Sequence, residues 1–181
     1  MTSQQRDFLL ADTKEAVDKG ANWFYWIVGL SLVNVVLALA EANRHFLIGM
    51  AMTEIGAAFI TDPDGGTVFK VIGGGLIVVI LVGFLLLGRR AHKPSKAAFI
   101  VGIVLYALDG IIYLIDGDYL SVAFHGYVIF HFYMGYKAVG EYLEAYHAEV
   151  TENEPQVEEA PKFEAVVEET PEASVTSSDM A

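Results

Sequence analysis

The chain contains no cysteine, which removes disulfides, thiolate nucleophiles and Cys-metal centres, and leaves the compartment unreadable from redox usage. Base is scarce as well: 11 Lys and Arg stand against 23 Asp and Glu, for a formal charge of −12. That excess is not spread evenly. Residues 149–181 hold ten acids against Lys162 alone, so this stretch carries −9 and the preceding 148 residues only −3. The amino end, MTSQQRDFLLADTKEAVDKGA, lacks the basic, apolar and small-residue regions of a secretory signal. The first apolar run is therefore expected to stay as an anchor. A short amphipathic helix fits residues 8–17.

What the chain has is apolar length. A membrane-spanning helix needs ~20 mostly apolar residues at ~1.5 Å each. Segments 22–40, 71–88, 97–115 and 119–140 reach that length, and their faces lack the polar outer stripe of a soluble bundle. A fifth, 46–60 (FLIGMAMTEIGAAFI), is shorter and carries Glu54 at its middle. Gly49, Thr53 and Ala57 recur at four-residue spacing, which lets a neighbouring helix approach closely. This segment either crosses as a short helix surrounded by protein or enters and returns from one side. The fold class expected is all-α, a polytopic transmembrane bundle of five apolar helices, the second either spanning in full or stopping short, with a disordered acidic tail. The divisions are 1–21, polar; 22–147, the helical domain; and 148–181, the tail.

The connection RRAHKPSK holds Arg89, Arg90, Lys93 and Lys96, more base than any other, and is expected to be cytoplasmic, with the tail on the same side. If 46–60 crosses, Lys and Arg divide six inside to four outside; if it does not, eight to two, with the amino terminus inside. The charge rule favours four crossings, hydropathy five. WFYWI at 23–27 and Tyr133, Tyr136 and Tyr142 supply interfacial aromatic belts. The tail repeats VEEAP (157–161) as VEETP (167–171) and is too acidic and too poor in apolar groups to fold alone.

Within LYALDGIIYLIDGDYLSVAFH, Asp109 lies eight residues before Gly117 and His125 eight after it. A tight turn at Asp116–Gly117–Asp118 would place both at one depth, ~10 Å below the helix ends. An isolated ionised group in hydrocarbon costs several kcal/mol, so an acid and an imidazole at one level are expected to meet. Tyr106 shares the Asp109 face, with Gly102 and Tyr113. Glu54 joins the cluster if 46–60 runs outward, and Asn34 if the amino terminus is cytoplasmic. Asp109, His125, Tyr106, Glu54 and Asn34 form the candidate polar cluster, read equally as a helix-to-helix clasp or as a proton relay or polar pocket. His131 is rotated ~120° from His125 and cannot share its face. His45 and His92 fall at membrane surfaces.

No Ser-His arrangement, paired catalytic carboxylates or His-rich metal motif is visible, and Gly73–Gly75 is not followed by a phosphate-loop pattern. No enzyme activity, cofactor or metal is expected. The tail reads first as a solubilising extension and second as a docking site for a basic cytoplasmic protein; membrane lipids and a second copy of the chain are the other partners expected, with no nucleic acid. The segments FYWIVGLSLVN (24–34) and AFIVGIVLYALDGIIYLIDGDYLSVAFHGYVIF (98–130) resemble a group of small, uncharacterised bacterial integral membrane proteins. These share W-x-x-G-x-S-x-x-N in a first helix and V-L-Y-A-L-D-G in a late one. The resemblance implies Asn34, Asp109, Gly110 and His125 as characteristic positions, supports the topology and carries no activity; the expected location is the cell membrane, the inner one of a bacterium.

Overall fold

The computed structural model describes residues 2–40 and 49–153; the tail from 154 onward, His45 and the first residues of the 46–60 segment lie outside that range. Five helices follow in order: α1 (Ser3–Leu39), α2 (Ala51–Thr61), α3 (Thr67–Ala91), α4 (Lys96–Asp116) and α5 (Tyr119–Asn153). The described residues contain no strand.

Helix α1 is unbroken where the sequence divides into a polar and an apolar half. Thr2 and Gln5 form a reciprocal capping box at its start. Its buried positions, Thr13, Val17, Ala21, Phe24, Ile27, Ser31 and Asn34, recur every three or four residues across the boundary at 21. At 37 residues it extends ~55 Å, well beyond a ~30 Å hydrocarbon layer. Residues 8–17 are therefore the first turns of a long helix rather than a helix of their own. Likewise α5 runs on to Asn153, past the tail boundary expected at 148.

The long helices alternate in direction. Gly88 of α3 faces Phe24 of α1, and Ile77 packs with Val35, so these two are antiparallel. Phe99 of α4 lies against Gly135 of α5, and Gly110 against His125. The turn between α4 and α5 closes on Gly117, whose φ of 80° favours glycine, while the Asp118 amide donates to the Tyr113 carbonyl (3.0 Å). At the opposite end, Asp18 of α1 meets His92 at 2.8 Å, and Tyr25 stacks on the same ring.

Helix α2 does not cross this bundle. Its eleven residues span only ~16 Å. Met50 lies beside Ser31, inside the bundle and not beyond the end of α1, and α2 then runs parallel to α1 and α4 towards the Gly117 end. Gly56 and Gly73 let α2 and α3 pack backbone to backbone; a Cβ on Gly56 would stand 2.9 Å from the Gly73 carbonyl oxygen. Gly74 and Gly75 face open space.

Helices α1, α3 and α4 are long and apolar enough to cross a membrane. The fourth expected span, α5, is not among them, because His125, His131 and a series of tyrosines dilute its apolar half. Large aliphatic side chains such as Val79, Leu86, Leu108 and Ile115 point outward, whereas Asp109, His125, Ser31, Asn34 and Thr53 are buried. A protein dissolved in water rarely exposes apolar surface on that scale.

A buried polar cluster at the inner end of α2

The site begins with a helix end that has no cap of its own. Met50 precedes α2 and contributes no side-chain acceptor. The first amides of a helix lack partners within it, and leaving such donors buried is costly. Asp109 supplies the acceptors from α4: its Oδ2 accepts from Ala51 N at 2.9 Å and its Oδ1 from Met52 N at 3.0 Å. Ser31 of α1 accepts from Met50 N at 3.0 Å. A carboxylate at the positive end of a helix dipole is a favourable placement for the charge.

His125 holds that carboxylate from the other side. Its Nε2 lies 3.0 Å from Asp109 Oδ2, and its Nδ1 lies 2.8 Å from the Ser121 carbonyl. A carbonyl only accepts, so Nδ1 carries a hydrogen. The contact between Nε2 and Oδ2 then requires one proton, placed either on the imidazole or on the carboxyl group. Asp109 is 6 % exposed and His125 2 %, which shields the pair from bulk water. Tyr106 stacks on the imidazole at 4.1 Å between ring centroids, and Tyr113 flanks it at 5.3 Å.

A second set of contacts lies towards the Gly117 end. Glu54 Oε1 accepts from Asn34 Nδ2 (3.1 Å) and from the Tyr113 hydroxyl (2.9 Å). Tyr113 thus touches both Glu54 and His125. A cavity of about 360 Å³ lined by Glu54, Tyr113, Ile112 and Asp116 adjoins this set. On the other side of the pair, Tyr106 packs with Phe84 and Phe132, and Phe132 with Phe24 and Phe99, forming an aromatic plug.

All five sequence-derived candidates therefore lie around one half-helix. Asp109, His125 and Tyr106 make the inner group; Glu54 and Asn34 make the outer one. By sequence Glu54 and Asn34 belong to alternative topologies, yet both are present because α1 and α2 run the same way. His131 is elsewhere, stacked on Trp23 at 4.8 Å. Among the described residues, Tyr106 Oη, Asn34 Oδ1 and His131 Nε2 are buried without a hydrogen-bond partner.

The contacts that sequence reasoning missed are main-chain ones. The amides of Ala51 and Met52 carry no sequence signature, although the absence of a capping residue before Ala51 was a readable clue. Among the described residues no three His, Cys, Asp or Glu side chains converge as a metal would need. Chemically, the arrangement can hold a proton and neutralise a helix end. Comparison with family models, curated proteins and solved structures returned no match.

Proposed function

We propose that this chain is a non-enzymatic, multi-pass integral membrane protein in which α1, α3, α4 and α5 cross the bilayer and α2 dips in from one side. In this reading the Asp109–His125 pair is a clasp that fastens α2 into the bundle. One observation carries it: both residues direct their polar atoms at the chain itself, to Ala51, Met52, Ser121 and each other. The basic 89–96 loop and both termini are cytoplasmic, the arrangement with eight Lys and Arg inside and two outside. The acidic tail is the contact point for a cytoplasmic partner. The resemblance of 24–34 and 98–130 to small bacterial integral membrane proteins supports the membrane reading.

The cysteine-free chain offers a direct test of topology. Single cysteines at Ser3, Asp64, Lys93 and Asp116 are introduced into the full chain and probed in intact cells with a membrane-impermeant thiol reagent. Labelling at Asp64 and Asp116 but not at Ser3 or Lys93 is expected; labelling at Ser3 overturns the four-crossing arrangement. Removal of 154–181 should abolish partner capture while leaving insertion intact, and undiminished capture removes the role given to the tail.

A second reading, a proton-coupled carrier, is favoured by the helix end inside the bundle, a feature of transporters built on broken helices. Proton or solute flux through liposomes containing wild-type protein, Asp109→Asn or His125→Ala tests it. Equal flux in all three removes it.

A further inference from the structure

A cavity of about 620 Å³ is not part of the clasp, though it reaches it. It is a groove between α3 and α4, closed at one end by Met50 and Met52. Its wall runs from Leu76 to Leu87 on α3 and from Val101 to Ile112 on α4, ~16 Å along each helix. Val79, Val101, Leu105 and Leu108 at its rim are exposed, so it opens sideways, towards whatever surrounds the bundle. Every lining side chain but one is apolar. The exception is Asp109.

The hydrogen bonds of Asp109 define what could bind there. An ionised carboxylate offers about four acceptor directions. Oδ2 uses two, towards Ala51 N and His125 Nε2, whereas Oδ1 accepts only from Met52 N, and Met52 also lines the groove. One acceptor direction on Oδ1 remains. Whichever of Asp109 and His125 holds the shared proton, the pair carries no net charge, and the vacancy suits a neutral donor better than a cation. A phospholipid could lay an acyl chain in the groove, but its headgroup belongs at the bilayer surface, ~10 Å above Asp109 by the eight-residue offset from Gly117.

We propose that the α3–α4 groove is a binding site for a single-chain aliphatic alcohol, its hydroxyl donating to Asp109 Oδ1 and its chain lying between Phe84, Gly83, Leu105 and Val101. Apolar burial supplies the affinity, and the one hydrogen bond supplies the discrimination between a hydroxyl and an ether or hydrocarbon end. The site requires the α2 cap to be in place but is independent of which side of a membrane each helix end faces.

Gly83 makes the test clean. It lines the groove, and a Cβ added there meets nothing within 4 Å, so Gly83→Leu fills the cavity without disturbing a packed contact. Gly126→Leu, at an exposed and equally open position on α5, controls for general partition into the protein surface. Tritiated dodecanol is titrated against the full-length protein in lipid nanodiscs, with empty nanodiscs subtracted. Saturable binding is expected, unchanged in Gly126→Leu and weakened at least about tenfold in Gly83→Leu. Dodecyl methyl ether should compete at least about tenfold more weakly than dodecanol, and Asp109→Asn should narrow that gap. No saturable binding, or equal binding in Gly83→Leu and wild type, overturns the site; equal competition by the ether leaves an acyl-chain groove only and overturns the role of Asp109.

Discussion

Gly20 of α1 and Gly135 of α5 meet with almost nothing between their backbones: a Cβ on Gly20 would stand 2.7 Å from Gly135 Cα. Phe99 of α4 closes the same point, 2.5 Å from where a Cβ on Gly135 would sit. Three helices are locked together there, at the end opposite Gly117. Overpacking at such a contact costs about 1–3 kcal/mol. Gly20→Ala and Gly135→Ala should each lower the thermal midpoint of the purified protein in detergent, while Gly126→Ala, at an open helical position, should not lower it. Equal midpoints for all three would remove the close contact as a stability determinant.

Removing Asp109 strands the amides of Ala51 and Met52 along with His125. Breaking one side of a buried pair costs about 3–5 kcal/mol, because the remaining group stays buried without compensation. Asp109→Ala should therefore destabilise more than His125→Ala, since the helix end loses its cap only in the first. The double variant should be less destabilised than the sum of the singles. Reversible unfolding in mixed micelles measures all three, and strict additivity would mean that the two side chains act separately.

That pair was half readable in the sequence. Equal spacing of Asp109 and His125 from Gly117 set their common depth, because a helical hairpin converts sequence distance into height. The acceptor role of Asp109 was not readable. Its donors lie 57 and 58 residues away on a helix whose own composition says nothing of α4.

Outside the apolar segments, Asp118 starts α5. Its carboxylate accepts from the Ser121 hydroxyl (2.6 Å) and from the amides of Leu120 and Ser121, and these bonds hold its pKa below the ordinary aspartate value. A depressed native pKa means that this stability is present above the unfolded value near 3.8 and is lost as pH falls through the lower native one. Asp118→Ala should cost ~1 kcal/mol at neutral pH, a usual figure for an N-cap. The difference from wild type should shrink below about pH 3.8. Thermal unfolding across pH checks the sign; a difference that widens in acid would remove the cap.

Tyr113 donates to Glu54 across the α2–α4 contact. Hydrogen bonds between membrane helices average ~0.6 kcal/mol and reach ~1.7. A double-mutant cycle with Tyr113→Phe and Glu54→Ala, each of which removes one partner of the bond, should give a coupling within that range. A coupling indistinguishable from zero would show that the bond contributes no net stability.

The amino-acid order determined the long apolar helices, the glycine-centred turn and the level at which an acid and an imidazole face each other, since each follows from local period and spacing. Tertiary structure alone decided that the described part of segment 46–60 is an eleven-residue helix, Ala51–Thr61, that starts beside Ser31. Gly49 and Met50 are back beside Asn34 and Ser31 before α2 begins, so its first amides open inside the bundle. Buried amides need an acceptor, and the nearest one comes from a distant helix, which no local pattern could reveal.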